Sequence, residues 1–264
     1  MDTYFDLGGY SFPVTTQSTE AQTWFDRGIL WTYGYNHEEA VTCFERAIDA
    51  DPKCAMAHWG AGYASGPNYN MPWDLFDDAG RAVAARAGYA HARKALDLID
   101  GATEWEAALI QALPARHPQP DPLDPEAMKA WNANFADAMR DVFAAHPESH
   151  EVRTVFAESL LNLTPWKMWD LRSGKPAASA RTVEAQTVLE EALEGDPSAM
   201  RHPGLLHLYV HLMEMSPFPE KALKAGDALR RLVPDAGHLI HMPTHIDILC
   251  GHYQNVVDWN EAAI

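Results

Sequence analysis

AQTWFDRGILWTYGYNHEEAVTCFERAIDADP, residues 21–52, decides the fold. Sustained alternation of apolar and polar residues is missing here and along the rest of the chain. Ala, Leu, Glu and Met recur at helical spacing instead, so helices are expected throughout. Within the stretch, small Gly28 and Ala40 sit among large Trp24, Trp31 and Phe44. Small residues let two helices approach closely, and large ones fill the space beside the contact. Pro52 cannot extend the helix it follows and closes the unit.

A second observation extends this outward. HLYVHLMEM (207–215) and HLIHMPTHI (238–246) each hold a histidine pair four apart, and the pairs are separated by 34 residues. A period near 34 marks paired helices. The first stretch resembles the tetratricopeptide repeat at Trp24, Gly28, Trp31, Ala40, Phe44, Ala47 and Pro52, all in one register. Ala185, Leu189, Ala192 and Pro197 follow its second-helix pattern, as do Ala222, Leu229 and Pro234. Gly251 and Tyr253 match the turn between its helices. The resemblance implies an all-α fold, with antiparallel helix pairs stacked into a right-handed solenoid enlarged by long loops in the middle. One domain, 1–264, is expected: a first repeat at 18–54, irregular helical repeats at 55–180 and C-terminal repeats at 181–264. Pro- and Gly-rich segments 66–73, 114–125 and 165–176 read as loops. Helices are expected near 77–99, 104–112, 126–145 and 151–163, with Thr103 and Glu106 as a capping box. The final unit would reach its closing proline only beyond Ile264. Helical arrays normally end in a polar capping helix, so further chain, a partner or a second subunit is expected to cover that end.

Composition narrows the function. The 264 residues are 47% hydrophobic and carry a net charge of -17, a field that repels nucleic acid and anionic membrane surfaces. MDTYFDLGGY lacks the basic and apolar regions of a leader, and no apolar run approaches the roughly 20 residues needed to span a bilayer. Cys43, Cys54 and Cys250 are scattered without CxxC spacing and read as reduced thiols of a cytoplasmic protein.

Thirteen histidines cluster toward the C-terminal third. His207 and His211 fall at the fifth and ninth positions of one unit, and His241 and His245 at the same positions of the next. The resemblance implies that these positions face the concave groove. Residues four apart share a helix face, so four imidazoles on neighbouring helices are expected to converge. His238 extends this pool of metal ligands, and Glu214 continues the face of the first pair. Pro243 belongs in a first helical turn, which makes the His241–His245 geometry approximate. Imidazole and carboxylate without thiolate suit a divalent transition metal, Cu, Fe or Zn foremost. Repeats also copy residues without purpose, so an inert polar groove or a peptide-binding one is the competing account.

Other candidates are weaker. Glu158 interrupts an apolar face and needs a partner there: a metal, a histidine or an arginine. His58 lies beside Trp59 and serves either as a general base or as a packed core histidine. Asn68 and Asn70 follow Gly66-Pro67, where a turn with side-chain hydrogen bonds explains them. Trp73, Trp166 and Trp169 plug a core or wall a pocket. GPNYN, SLLNLTPWKMWD and AGHLIHMPTHI together resemble a group of bacterial and fungal tetratricopeptide-domain proteins with similar phrases. The expectation is a metal-dependent enzyme acting on a small organic molecule in the groove, leaning toward oxidation, with Glu158, Glu214 or His58 as the catalytic base. The alternative is a scaffold that binds a partner protein or peptide in that groove without catalysis.

Overall fold

The computed structural model describes residues 4–264. The N-terminal stretch read above for a leader includes residues 1–3, which lie outside those described. The chain is all-α. Its helices are α1 (Thr19–Tyr33), α2 (His37–Ala50), α3 (Ala55–Ala64), α4 (Asp78–Asp97), α5 (Glu104–Ala112), α6 (Pro125–Ala145), α7 (His150–Leu161), α8 (Thr182–Gly195), α9 (Pro203–Met213), α10 (Leu223–Leu229), α11 (Gly237–His241), α12 (Pro243–Leu249) and α13 (Tyr253–Ala262). Two short strands, β1 (Trp169–Asp170) and β2 (Lys175–Pro176), pair antiparallel within the third loop. No helix of the described residues is long and apolar enough to cross a membrane.

Helix starts follow the capping residues in the sequence. Ser18, Asn36, Asp77, Asp124 and Ser149 each accept a first-turn backbone N–H. Thr103 and Glu106 form the expected capping box. Glu106 also accepts the backbone N–H and the hydroxyl of Thr15, which ties the N-terminal segment to α5. The 66–73 segment turns as expected: Asn68 Oδ1 accepts the N–H groups of Asn70 and Met71.

The first three helices meet around one ring. A methyl group added to Gly28 of α1 would lie 2.7 Å from Phe44 of α2, and one added to Gly60 of α3 would lie 2.4 Å from it. Phe44 therefore fills a slot that only glycines leave open on both sides. A continuous core runs from Leu7 to Ile246, and a smaller cluster joins Trp73 to Ala84, Ala85, Met128 and Trp131. α9 is buried along its whole length, as its composition PGLLHLYVHLM requires of a helix apolar on every side.

Candidate metal centre

α9 owes its start to His202, whose Nδ1 accepts the N–H of Leu205 while its Nε2 lies 2.9 Å from the Tyr10 hydroxyl. An Nδ1 that accepts leaves Nε2 as the protonated nitrogen, so His202 donates to Tyr10. One turn further on, His207 and His211 stand over each other with ring centroids 4.6 Å apart, both almost fully buried. α11 brings His238 to them, with Nε2 3.2 Å from His207 Nε2. One ligand nitrogen from each of the three lies within 4.8 Å of the others.

Aromatic rings close this cluster. Tyr35 sits 4.6 Å from His207, 5.5 Å from His211 and 5.6 Å from His238 between ring centroids. It does so from a left-handed backbone, φ 57°, at the end of α1, where glycine is the usual occupant. Tyr69 of the first loop, 66–73, packs 4.7 Å from His211 between ring centroids.

Electrostatics keep these rings neutral. Burial, then neighbouring His211 and His238, pushes His207 well below the usual histidine range. Burial also lowers His211, against the pull of Glu214. Burial followed by His211 and His241 lowers His238 to about 3. Neutral imidazole is the form that binds a metal.

Glu214 joins this cluster to a second pair. Its Oε1 accepts from His211 Nδ1 at 2.9 Å and its Oε2 from His245 Nδ1 at 2.5 Å. Burial opposes ionisation, but these two hydrogen bonds and the histidines' field pull the carboxyl down to about 2. With Nδ1 of His211 spent on Glu214, its Nε2 is left buried without a partner. A buried nitrogen without a partner, beside two other imidazoles, could take a cation. Beyond Glu214, His241 and His245 approach each other through Nε2 at 2.9 Å. They sit at the floor of a cleft of about 420 Å³ that is walled by Met215, Ile248, Leu249 and Val256.

The five candidate histidines therefore divide in a way the 34-residue interval does not. His207, His211 and His238 form the closest group, and His241 with His245 forms an adjoining pair. Pro243 is the reason: α11 ends at His241 and α12 begins at Pro243, as expected for proline in a first turn. Glu214 hydrogen-bonds imidazoles of both groups, so both its oxygens are engaged. Glu158 lies on α7 and accepts the hydroxyl of Tyr63. Burial raises its pKa, and Arg116, whose guanidinium lies 4.5 Å from the Tyr63 ring centre, opposes that rise. His58 pairs with His91 of α4, Nδ1 to Nδ1 at 3.3 Å, and burial holds it at about 4. It belongs to the α3–α4 contact rather than to the clustered histidines. Trp169 plugs the end of α9, donating from Nε1 to the Leu212 carbonyl at 2.7 Å.

Three contributors escaped the sequence reading. Tyr35 had one local signal, the Gly-Tyr-Asn turn after a helix. Tyr69 was inside the quoted GPNYN phrase but without a stated role. Asn260, whose Oδ1 lies 2.6 Å from His241 Nδ1, had none. No known protein family and no curated protein matches the chain.

Proposed function

We propose that the chain is a metal-dependent enzyme in which His207, His211 and His238 hold a divalent transition ion beside a cleft for a small organic molecule. The observation that carries this reading is the buried, unpartnered Nε2 of His211 facing two neutral imidazoles. Three neutral nitrogens suit Cu, Fe or Zn, and three protein ligands leave a coordination position for reaction. Oxidation is favoured over hydrolysis, because both oxygens of Glu214 are engaged by imidazoles, so Glu214 is no free base for water. The apolar walls of the cleft suit a substrate with a hydrophobic body. His207 and His211 are too deeply buried for a peptide in a groove to touch, which counts against the scaffold alternative.

The tetratricopeptide-like solenoid belongs to this proposal. The fit of Phe44 between Gly28 and Gly60 supports it, and a single core from Leu7 to Ile246 supports one domain built from the three repeat regions. Free thiols at Cys43, Cys54 and Cys250 suit the reducing cytoplasm. The reading is tested by elemental analysis of untagged, dialysed protein. Wild type should retain transition metal at the His207–His211–His238 centre. His211→Ala should lose that metal while keeping its helical circular dichroism. A wild-type protein that takes up none of Cu, Fe or Zn at micromolar concentration sinks the proposal.

A further inference from the structure

We infer that the protein has a second cation position, between His241 and His245 at the floor of the cleft, coupled to the first through Glu214. It deepens the reading of His207, His211 and His238 as a metal centre and rests on it.

The inference starts from which nitrogens carry protons. Asn260 Nδ2 donates to the Val256 carbonyl at 2.7 Å, which settles the orientation of the amide. Asn260 therefore turns its oxygen to His241 Nδ1, 2.6 Å away, and an oxygen there accepts. His241 is protonated at Nδ1. Ionised Glu214 likewise only accepts, so His245 is protonated at Nδ1 too. With both rings neutral, both Nε2 atoms present lone pairs, and these face each other across 2.9 Å. Two lone pairs at that distance repel unless positive charge lies between them.

A metal ion fits the spacing. With Nε2–metal bonds of about 2.0–2.1 Å, a 2.9 Å separation closes an angle of about 90° at the ion. That is the edge of an octahedral or square-planar site. The 3.2 Å between His207 and His238 closes about 103°, near a tetrahedral edge. On these edges the two positions favour different geometries: tetrahedral for the buried ion once His211, within 4.8 Å of the other two, closes on it, and six-coordinate or tetragonal for the one at the cleft.

Glu214 explains the coupling. It accepts Nδ1–H from one imidazole of each group, the carboxylate–histidine–metal arrangement made twice by one side chain. The second ion would have only two protein nitrogens, so water or substrate from the cleft completes its coordination. It should bind more weakly than the first and exchange faster. A small molecule with an apolar body against Ile248 and Leu249 and one polar group directed at the ion fits this floor.

The test is titration of metal-free protein with Co(II) and with Cu(II), reading stoichiometry by calorimetry and elemental analysis. Wild type should bind two ions per chain, one tight and one weak. The first Co(II) equivalent should give the intense visible bands of a tetrahedral site, and the second the weak bands of higher coordination. The double variant His241→Ala, His245→Ala should keep the tight, tetrahedral ion and lose the weak one. Glu214→Gln should weaken both by about 10–100-fold. One ion per chain, unchanged in the double variant, overturns the second position while leaving the first centre standing; the pair then shares a proton instead. No ion in folded wild type overturns both. Retention of tetrahedral Co(II) in His211→Ala overturns the first centre alone.

Discussion

Phe44 shows how a single residue position constrains this molecule. Its ring lies where side chains on Gly28 and Gly60 would otherwise stand. Alanine normally gains about 1 kcal/mol over glycine inside a helix. At position 60 that gain is outweighed, because the added methyl would sit 2.4 Å from the ring and force α3 away from α2. Gly60→Ala should lower stability by about 1–3 kcal/mol. Urea unfolding measures this directly; an unchanged or higher midpoint would mean the helices part without cost. Tyr35 illustrates a different use of backbone strain. Its left-handed conformation, φ 57°, carries an aromatic ring over three imidazoles where glycine would leave a hole.

Between elements, the position of α12 depends on one buried ion pair. Arg230, just past α10, donates to Asp247 of α12 at 2.9 Å, and both side chains are almost fully buried. Asn255 adds a donor to Asp247 at 3.3 Å, and Arg230 lies 5.1 Å from the ring centre of Trp259 on α13. Removing the Asp247 carboxylate leaves the buried guanidinium with only the exposed Asp227, 3.2 Å away, as a counter-ion. Asp247→Ala should destabilise by about 3–5 kcal/mol, whereas Arg230→Met with Asp247→Leu should cost far less. Chemical denaturation of the three proteins checks the order; equal losses would show that packing rather than charge positions α12. Because α12 carries His245, Asp247→Ala should also weaken the proposed cleft ion more than the proposed buried one.

At the scale of the whole molecule, buried neutral histidines make stability fall with acid. Burial holds both His117 and His202 at about 3, below the ordinary value of about 6.5. The unfolded chain therefore takes up protons first as pH falls. The stability these groups contribute is present above about pH 6.5 and is lost progressively toward pH 3. By pH 5 the loss should be about 2 kcal/mol for each. Urea midpoints of metal-free protein at pH 7 and pH 5 report the sum; a midpoint that does not drop would contradict neutral burial of these rings. His202 caps the helix that carries His207 and His211, so acid should also release the metal proposed for that centre.

Much of the helical plan was legible because its signals are local. Segment 104–112 starts and stops where Thr103, Glu106 and the following Leu-Pro place it. The expected 77–99 helix is Asp78–Asp97, because Asp77 is spent as its cap. The expected 151–163 helix is His150–Leu161, because Ser149 caps it one residue earlier. Pro243 marked the break between α11 and α12. The grouping of histidines was not legible in the same way. The repeat interval treats 241 and 245 as copies of 207 and 211, yet the break at Pro243 places His238 against His207 and turns the second pair toward the cleft.

By itself the sequence determined the helical class, the caps and breaks of individual helices, and the stacking of His207 over His211. Each of these depends on residues within one or two turns. Only the tertiary structure decided which imidazoles face one another and which nitrogens are free. His207 meets His238 across 31 residues, His245 meets Glu214 across 31, and Tyr35 and Tyr69 arrive from the other half of the chain. Differences of a few tenths of an ångström between ring-nitrogen distances are set by how whole helices pack, and no local periodicity encodes them.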